Sequence, residues 1–195
     1  MENKNIHLLA SLSLSLFVPA PARFYCGLAL VSEFFLLMLF GTFSKFFIKK
    51  ISLPHVENVL LLFLLVSFSL FFQTIFFALS PSTSFQLQFA FYFPVFSAFV
   101  LQNFLNENEN KLIWHSFLFS IFALAIFLIR DIVGFGTISF FEKNGIAEIF
   151  LWKPILPFSF FATVPGGIML VALVIILYQT IQKKFSSIKN LGDEK

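Results

Sequence analysis

The sequence predicts an all-α integral membrane protein with six transmembrane helices, arranged as two inverted three-helix repeats whose first helices are broken. Composition is the first reason: 58% of the 195 residues are apolar and 12% are charged, whereas soluble domains are close to half apolar and a quarter charged. A single soluble domain of this length does not have enough interior to hide so much apolar surface. The second reason is that several apolar stretches reach the length of about 20 residues that a helix needs to cross a bilayer.

The predicted spans follow one another along the chain, which we treat as one transmembrane domain, 1–195. Charged or polar residues separate the apolar runs and set their limits. The spans lie at about 6–18, 24–44, 59–79, 85–105, 112–129 and 155–182. An outer loop over 131–153 is the longest connection, so we expect extramembrane structure there, including a short surface helix over 144–148.

The first stretch, 6–18, is shorter than an ordinary span. It ends at Val18-Pro19-Ala20-Pro21-Ala22, where two prolines interrupt regular helix. One interpretation is a cleaved signal peptide, with an apolar run before small residues. The favoured one is a short helix whose broken backbone is buried among neighbours, because apolar sequence resumes directly after the prolines.

Two patterns predict the arrangement in the membrane. A proline interrupts the opening segment of each half, at Pro19 and at Pro94. Broken helices at matching positions are typical of inverted repeats, and three spans per half would invert the second half. With both termini inside, 9 basic residues face the cytoplasm and 4 face outwards, which favours that orientation. The predicted surroundings are therefore lipid, and nothing in the charge pattern indicates a nucleic-acid partner.

Glu33 interrupts the second apolar stretch near its middle. A carboxylate at that depth is costly and is usually functional, which predicts a proton or sodium site. The alternatives are a shifted helix boundary or a structural pair with Arg23, although ten residues of helix would separate the two by about 15 Å.

The most distinctive sequence is in the C-terminal third. The segment 130–137 reads Arg-Asp-Ile-Val-Gly-Phe-Gly-Thr, Pro157-Phe158 follows, and 164–168 reads Val-Pro-Gly-Gly-Ile. This resembles the Rnf/Nqr family of membrane subunits, in particular the RnfE/NqrD type. Arg130 and Asp131 are either interfacial anchors or a buried pair that fixes the turn against a partner subunit. Gly134, Gly136 and Thr137 are expected to form a tight turn, and Pro165 and Gly166 to begin the last helix.

The resemblance implies a membrane subunit of a redox-driven, ion-translocating electron transport complex in the bacterial inner membrane. It also implies a homologous, oppositely oriented partner subunit, further subunits of the complex, and a structural or ion-path role without catalysis in this chain. In the family, the two subunits share an iron–sulfur centre held by cysteines beside the broken helices. Here Val18 and Val100 stand at the expected cysteine positions, and the single Cys26 is displaced from them. Thiolates normally hold such clusters, so we predict no cofactor in this chain.

A second function remains open. In its length and its six predicted spans, the chain is also similar to the solute-binding membrane subunit of a vitamin-type transporter. In those subunits the first helix usually carries alanines four residues apart, whereas here Leu14 follows Ala10 at that spacing.

Overall fold

The computed structural model describes residues 17–51, 56–104, 109–142, 145–152, 158–176 and residue 180. These residues are mostly helical. The helices are α1 (Phe24–Ile51), α2 (Glu57–Leu79), α3 (Pro81–Leu87), α4 (Tyr92–Phe104), α5 (Glu109–Phe135) and α6 (Val164–Ile176). Between α5 and α6 lie strands β1 (Thr137–Glu142) and β2 (Gly145–Phe150) and a 3-10 helix (Phe158–Ala162).

Among the described residues, three helices are long and apolar enough to cross a membrane: Phe24–Ile48 within α1, the whole of α2, and Leu112–Phe135 within α5. Large apolar side chains are exposed along α2, where Phe63 is 67% and Phe71 61% exposed. Exposed apolar surface of this extent is unfavourable in water and suits the hydrocarbon of a bilayer. The chain therefore has the surface of a protein in contact with lipid.

Several hydroxyl groups within these helices donate hydrogen bonds to the backbone of their own helix. Thr42 donates to the carbonyl of Met38 at 2.8 Å, and Ser116 to that of Leu112 at 2.7 Å. Such bonds satisfy a polar side chain without water, as a membrane interior requires.

The core lies around α1, against which α2, α4 and α5 pack. Leu30, Phe34 and Leu37 lie on one face of α1 and are fully buried. The ring of Phe34 packs on that of Phe119 of α5, with centroids 4.7 Å apart. Near the start of α1, Gly27 allows a close approach of Phe127, whose ring carbons a methyl group at this position would overlap. α1 is thus the central helix of the described structure.

The two expected helix breaks have different forms. Residues 17–20 form a turn, and α1 begins after it at Phe24. The predicted span 85–105 is two helices, α3 and α4, with a turn at 88–91 between them. Pro94 is in the first turn of α4, where a proline needs no hydrogen-bonded amide.

Parts of two other predicted spans lie outside the described residues. For the span 6–18, only Phe17 and Val18 are described, and both are in the turn. For the span 155–182, the described helix is α6, and residues 155–157, 177–179 and 181–182 lie outside the description.

The segment after α5 corrects the expectation of a wholly α-helical chain. β1 and β2 form an antiparallel hairpin in which Thr137 pairs with Phe150 and Glu142 with Gly145. The predicted surface helix over 144–148 is wrong, because residues 145–148 belong to β2. The sequence of β1, Thr-Ile-Ser-Phe-Phe-Glu, is rich in β-branched and aromatic residues, which favour strands.

Candidate functional site

Arg130 lies near the end of α5, and its side chain is buried, with 1% of its surface exposed. Its Nη1 donates to the carbonyl oxygens of Val18, at 3.1 Å, and of Ala20, at 3.4 Å. Its Nη2 donates to the carbonyl of Ala162 at 3.3 Å, and its Nε approaches that of Phe161 at 3.5 Å. One guanidinium therefore binds the backbone of the first break and the backbone of the 3-10 helix before α6.

Arginine suits this position because its planar fork carries five N–H donors and keeps its charge. Carbonyls in non-helical backbone are costly when buried without a hydrogen-bond donor, and more so away from water. A small cavity of about 10 Å³, lined by Phe17, Val18, Phe127 and Arg130 among others, adjoins the group. This volume is close to the room that one water molecule needs.

The neighbouring Asp131 is fully buried and binds different groups. Its Oδ2 accepts hydrogen bonds from the backbone N–H of Phe24, at 3.1 Å, and from the N–H and hydroxyl of Ser139, at 2.8 and 2.5 Å. Its Oδ1 accepts one from the hydroxyl of Thr137 at 3.2 Å. Phe24 is the first residue of α1, so this carboxylate caps α1 from another element and is placed at the positive end of its dipole.

Arg23 supplies the positive charge nearest to Asp131. Its Nη1 lies 3.6 Å from Asp131 Oδ1 and 3.3 Å from a carboxylate oxygen of Glu148 in β2. It also donates to the hydroxyl of Thr137 at 3.0 Å, and its guanidinium carbon lies 4.0 Å from the ring centre of Phe135. The suggested pairing of Arg23 with Glu33 is wrong. Arg23 lies directly before α1, where the hairpin packs, and its ion pairs are with Asp131 and Glu148.

Strand β1 directs the hydroxyls of Thr137 and Ser139 towards Asp131, because side chains two residues apart on a strand share a face. Thr137 and Ser139 are both buried, and both reach Asp131. Ile138 between them is only half-buried. We name the set Arg23, Arg130, Asp131, Thr137 and Ser139 the junction.

Gly134 and Gly136 allow the chain to leave α5 at the junction. Gly136 has φ of +70°, the left-handed conformation that often ends helices, and its N–H donates to the carbonyl of Ile132 at 2.9 Å. A methyl group at Gly136 would overlap the carbonyl oxygen of Trp152. At Gly134 it would lie only 2.7 Å from the Cβ of Ala162, so this glycine brings the 3-10 helix against α5.

Pro165 and Gly166 are in the first turn of α6. The preceding Thr163 accepts a hydrogen bond from the N–H of Gly166 at 3.4 Å through its hydroxyl, in the manner of an N-cap. Gly166 packs against the backbone of Phe160, leaving no room for a larger residue. The short turn therefore presents the carbonyls of the 3-10 helix to Arg130.

Glu33 lies apart from the junction, in the middle of α1, and is fully buried. Its Oε1 accepts a hydrogen bond of 2.5 Å from the hydroxyl of Ser69, in the middle of α2. The same hydroxyl is 3.4 Å from the carbonyl oxygen of Phe91, in the turn between α3 and α4. The other carboxylate oxygen, Oε2, is buried and has no hydrogen-bond partner among the described residues.

The positions that the resemblance assigns to iron ligands do not suit that role. Val18 is buried and Val100 half-buried, and neither side chain has a donor atom. Cys26 is buried in the first turn of α1, outside these positions. Since iron–sulfur clusters need several thiolate or imidazole ligands, the described residues at the two breaks do not fit such a group.

Several residues of these sites are missing from the sequence-based set: Arg23, Ser139, Ser69, Phe91 and Thr163. The alternation of Thr137 and Ser139 is a signal that a strand-based interpretation would have found. Ser69 and Phe91 have no such signal, because only the packing of α2 and the second break beside α1 brings them to Glu33.

Comparison with known proteins adds no family to these observations. No protein-family model matches the chain, and no curated protein matches its sequence significantly.

Proposed function

We propose that this chain is a membrane subunit of a redox-driven, ion-translocating electron transport complex similar to the Rnf/Nqr complexes. Its role is to hold the helices of the complex in place and to contribute to the ion path. Catalysis is assigned to other subunits, so the chain is at most a non-catalytic part of an oxidoreductase.

The junction is the observation that carries this proposal. The residues on which the resemblance depends are scattered over 37 positions, from Arg130 to Gly166, yet they serve one structural purpose. Arg130 binds the first break and the 3-10 helix, and Asp131 caps α1. Gly134 and Gly136 allow the segments that follow α5 to pack closely against its end. One structural purpose shared by the residues of the motif supports the resemblance better than a match of isolated letters does.

The proposal includes six spans in two inverted repeats, with both termini in the cytoplasm of a bacterial cell. Support comes from the prolines at 19 and 94, each of which adjoins a break in the described structure, and from the distribution of basic residues. A homologous subunit in the opposite orientation would pair with this chain. Because Val18 and Val100 offer no thiolate, electrons are proposed to pass through cofactors of other subunits.

Co-purification tests the proposal. The chain is tagged at its natural locus, extracted in mild detergent and purified, and accompanying proteins are identified by mass spectrometry against an equally abundant tagged membrane protein from the same cells. We expect a homologous membrane subunit and a flavoprotein in specific excess. Recovery of the chain alone would contradict the proposal, and recovery with a pair of ATPase subunits would favour the vitamin-type transporter instead.

A further inference from the structure

Buried apolar side chains adjoin Glu33 on α1 and Ser69 on α2. Leu30 and Leu37 lie one turn away on the same face of α1, and Leu65 lies one turn from Ser69 on α2; all three are fully buried. An ionised carboxylate is very costly in such surroundings unless a cation or several donors accompany it. Ser69 supplies one donor, and Oε2 has no partner among the described residues.

The nearest charged groups on α1 and directly before it are distant and otherwise engaged. Arg23 and Lys45 are ten and twelve residues from Glu33, about 15 and 18 Å along the helix. Arg23 binds Asp131 and Glu148, and Lys45 donates to the carbonyl of Gln102.

The elements packed on α1 carry a few further titratable groups. Arg130 and Asp131 belong to the junction, and Tyr92 is exposed. Glu57 is twelve residues before Ser69, about 18 Å along α2. His115 lies within α5, Glu109 and Lys111 lie in its first turn, and Glu142 lies at the exposed end of β1.

We propose that Glu33, the hydroxyl of Ser69 and the carbonyl of Phe91 form a binding site for one monovalent cation, a proton or a sodium ion, in the middle of the helices. This site would be part of the ion path proposed above, and its biological purpose rests on that proposed function. Interrupted helices place backbone carbonyls beside ion sites in many transporters, and Phe91 is in such an interruption.

The loaded and the unloaded state use different hydrogen bonds. With the cation absent, Ser69 donates to Glu33 Oε1 at 2.5 Å. With a proton bound, the carboxyl donates to the Ser69 oxygen, and the Ser69 hydroxyl turns to the Phe91 carbonyl 3.4 Å away. A sodium ion would instead take oxygen ligands from the carboxylate, the hydroxyl and the carbonyl. One serine thus serves each state by turning its hydroxyl.

Carbodiimide labelling of the purified full-length chain tests the site, because the reagent adds to protonated carboxyl groups in apolar surroundings. Peptide mass spectrometry would quantify the adduct on Glu33 in mildly acidic and mildly alkaline buffer, with sodium or an equal amount of choline. We expect labelling to fall in alkaline buffer. Protection by sodium at constant pH identifies a sodium site, and indifference to sodium identifies a proton site.

Ser69→Ala is the informative variant. At a sodium site it should raise the sodium concentration needed for the same occupancy about tenfold, because one oxygen ligand is lost. At a proton site it should have the opposite effect and lower the proton concentration needed about tenfold, because the Ser69 hydroxyl stabilises the ionised carboxylate. Glu57→Gln, at the start of α2 away from the site, is the matched control and should leave the labelling of Glu33 unchanged.

An infrared difference spectrum between the wild type and Glu33→Gln gives a reading that does not depend on access of the reagent. A protonated carboxyl band that responds to pH or sodium supports the site, and a band that responds to neither overturns it. A site that titrates in a chain recovered without partners would leave the site standing and remove the Rnf/Nqr-like complex. Recovery of the complex together with a Glu33 band that responds to neither pH nor sodium would support the complex and overturn the site.

Discussion

Arg130 Nη1 donates a hydrogen bond of 3.1 Å to the carbonyl of Val18, 112 residues earlier in the chain. The bond joins the end of α5 to the turn from which α1 begins. Because the same guanidinium also binds Ala162, the start of α1 and the start of α6 are held by one side chain.

Replacing Arg130 with lysine should therefore destabilise the protein strongly. A single ammonium group cannot reach the carbonyls of both Val18 and Ala162, so buried acceptors are left without donors. We expect the free energy of unfolding in detergent to fall by about 3 kcal/mol. Arg23→Lys is the matched control: Arg23 is partly exposed, and its loss should cost under about 1 kcal/mol. Equal losses for the two variants would contradict the role assigned to Arg130.

Asp131→Asn tests the cap on α1. The amide has the shape of the carboxylate but lacks its charge, and its NH₂ group faces the donors of Phe24 or Thr137 if it replaces either oxygen. The expected loss is about 3 kcal/mol, with faster hydrogen exchange at the amides of Phe24 and Ser139.

Glu148→Gln is the control for Asp131→Asn, because it removes the other carboxylate that pairs with Arg23. Glu148 is partly exposed, so the free energy of unfolding should fall by under about 1 kcal/mol. Unchanged hydrogen exchange at the amide of Phe24 in Asp131→Asn would argue against the cap.

At Gly136, substitution by alanine should cost about 2 kcal/mol or more. The positive φ is strained for alanine, and its Cβ would overlap the carbonyl oxygen of Trp152. Asparagine tolerates the left-handed conformation but carries the same Cβ, so Gly136→Asn separates the two causes in thermal melts. We expect asparagine to be as harmful as alanine. Recovery with asparagine would show that backbone strain alone selects glycine here.

The exposed face of α2 is expected to contact lipid. Spin labels on single cysteines at Phe63 and Phe71, in a Cys26→Ser background, should collide often with oxygen and rarely with a water-soluble nickel complex in reconstituted vesicles. A label at the buried Leu65 should meet neither reagent often. Strong relaxation by nickel at positions 63 and 71 would place this face in water.

The purified chain is expected to bind no iron. Val18 and Val100 provide no ligand atoms, and the thiol of Cys26 is buried away from these positions. Metal analysis should find iron well below one atom per chain, and the visible spectrum should lack the charge-transfer bands of iron–sulfur clusters. Stoichiometric iron that is lost in Cys26→Ser would contradict this expectation.

Local sequence was a good guide where one residue decides the structure. The prolines at 19 and 94 mark both breaks, and Gly136 marks the end of α5. It was a poor guide to the partners of charged groups. Arg130 and Asp131 follow one another in the chain, yet Arg130 binds carbonyls before α1 and α6, whereas Asp131 accepts hydrogen bonds from the start of α1 and from β1. The hairpin was missed because a long polar connection was expected to form a surface helix, although β1 has the residues of a strand.

Apolar composition and the length of apolar runs determined by themselves that the chain is helical and suited to a bilayer, because burying so much apolar surface in a domain of this size has no other inexpensive solution. Only the tertiary structure decided what its few buried charges do. An apolar environment makes every unpaired polar group costly. The role of each buried charge therefore depends on the atoms that packing brings to it. Arg130 and Asp131 have such partners in distant backbone, whereas Glu33 has one serine and an oxygen without a hydrogen-bond partner among the described residues.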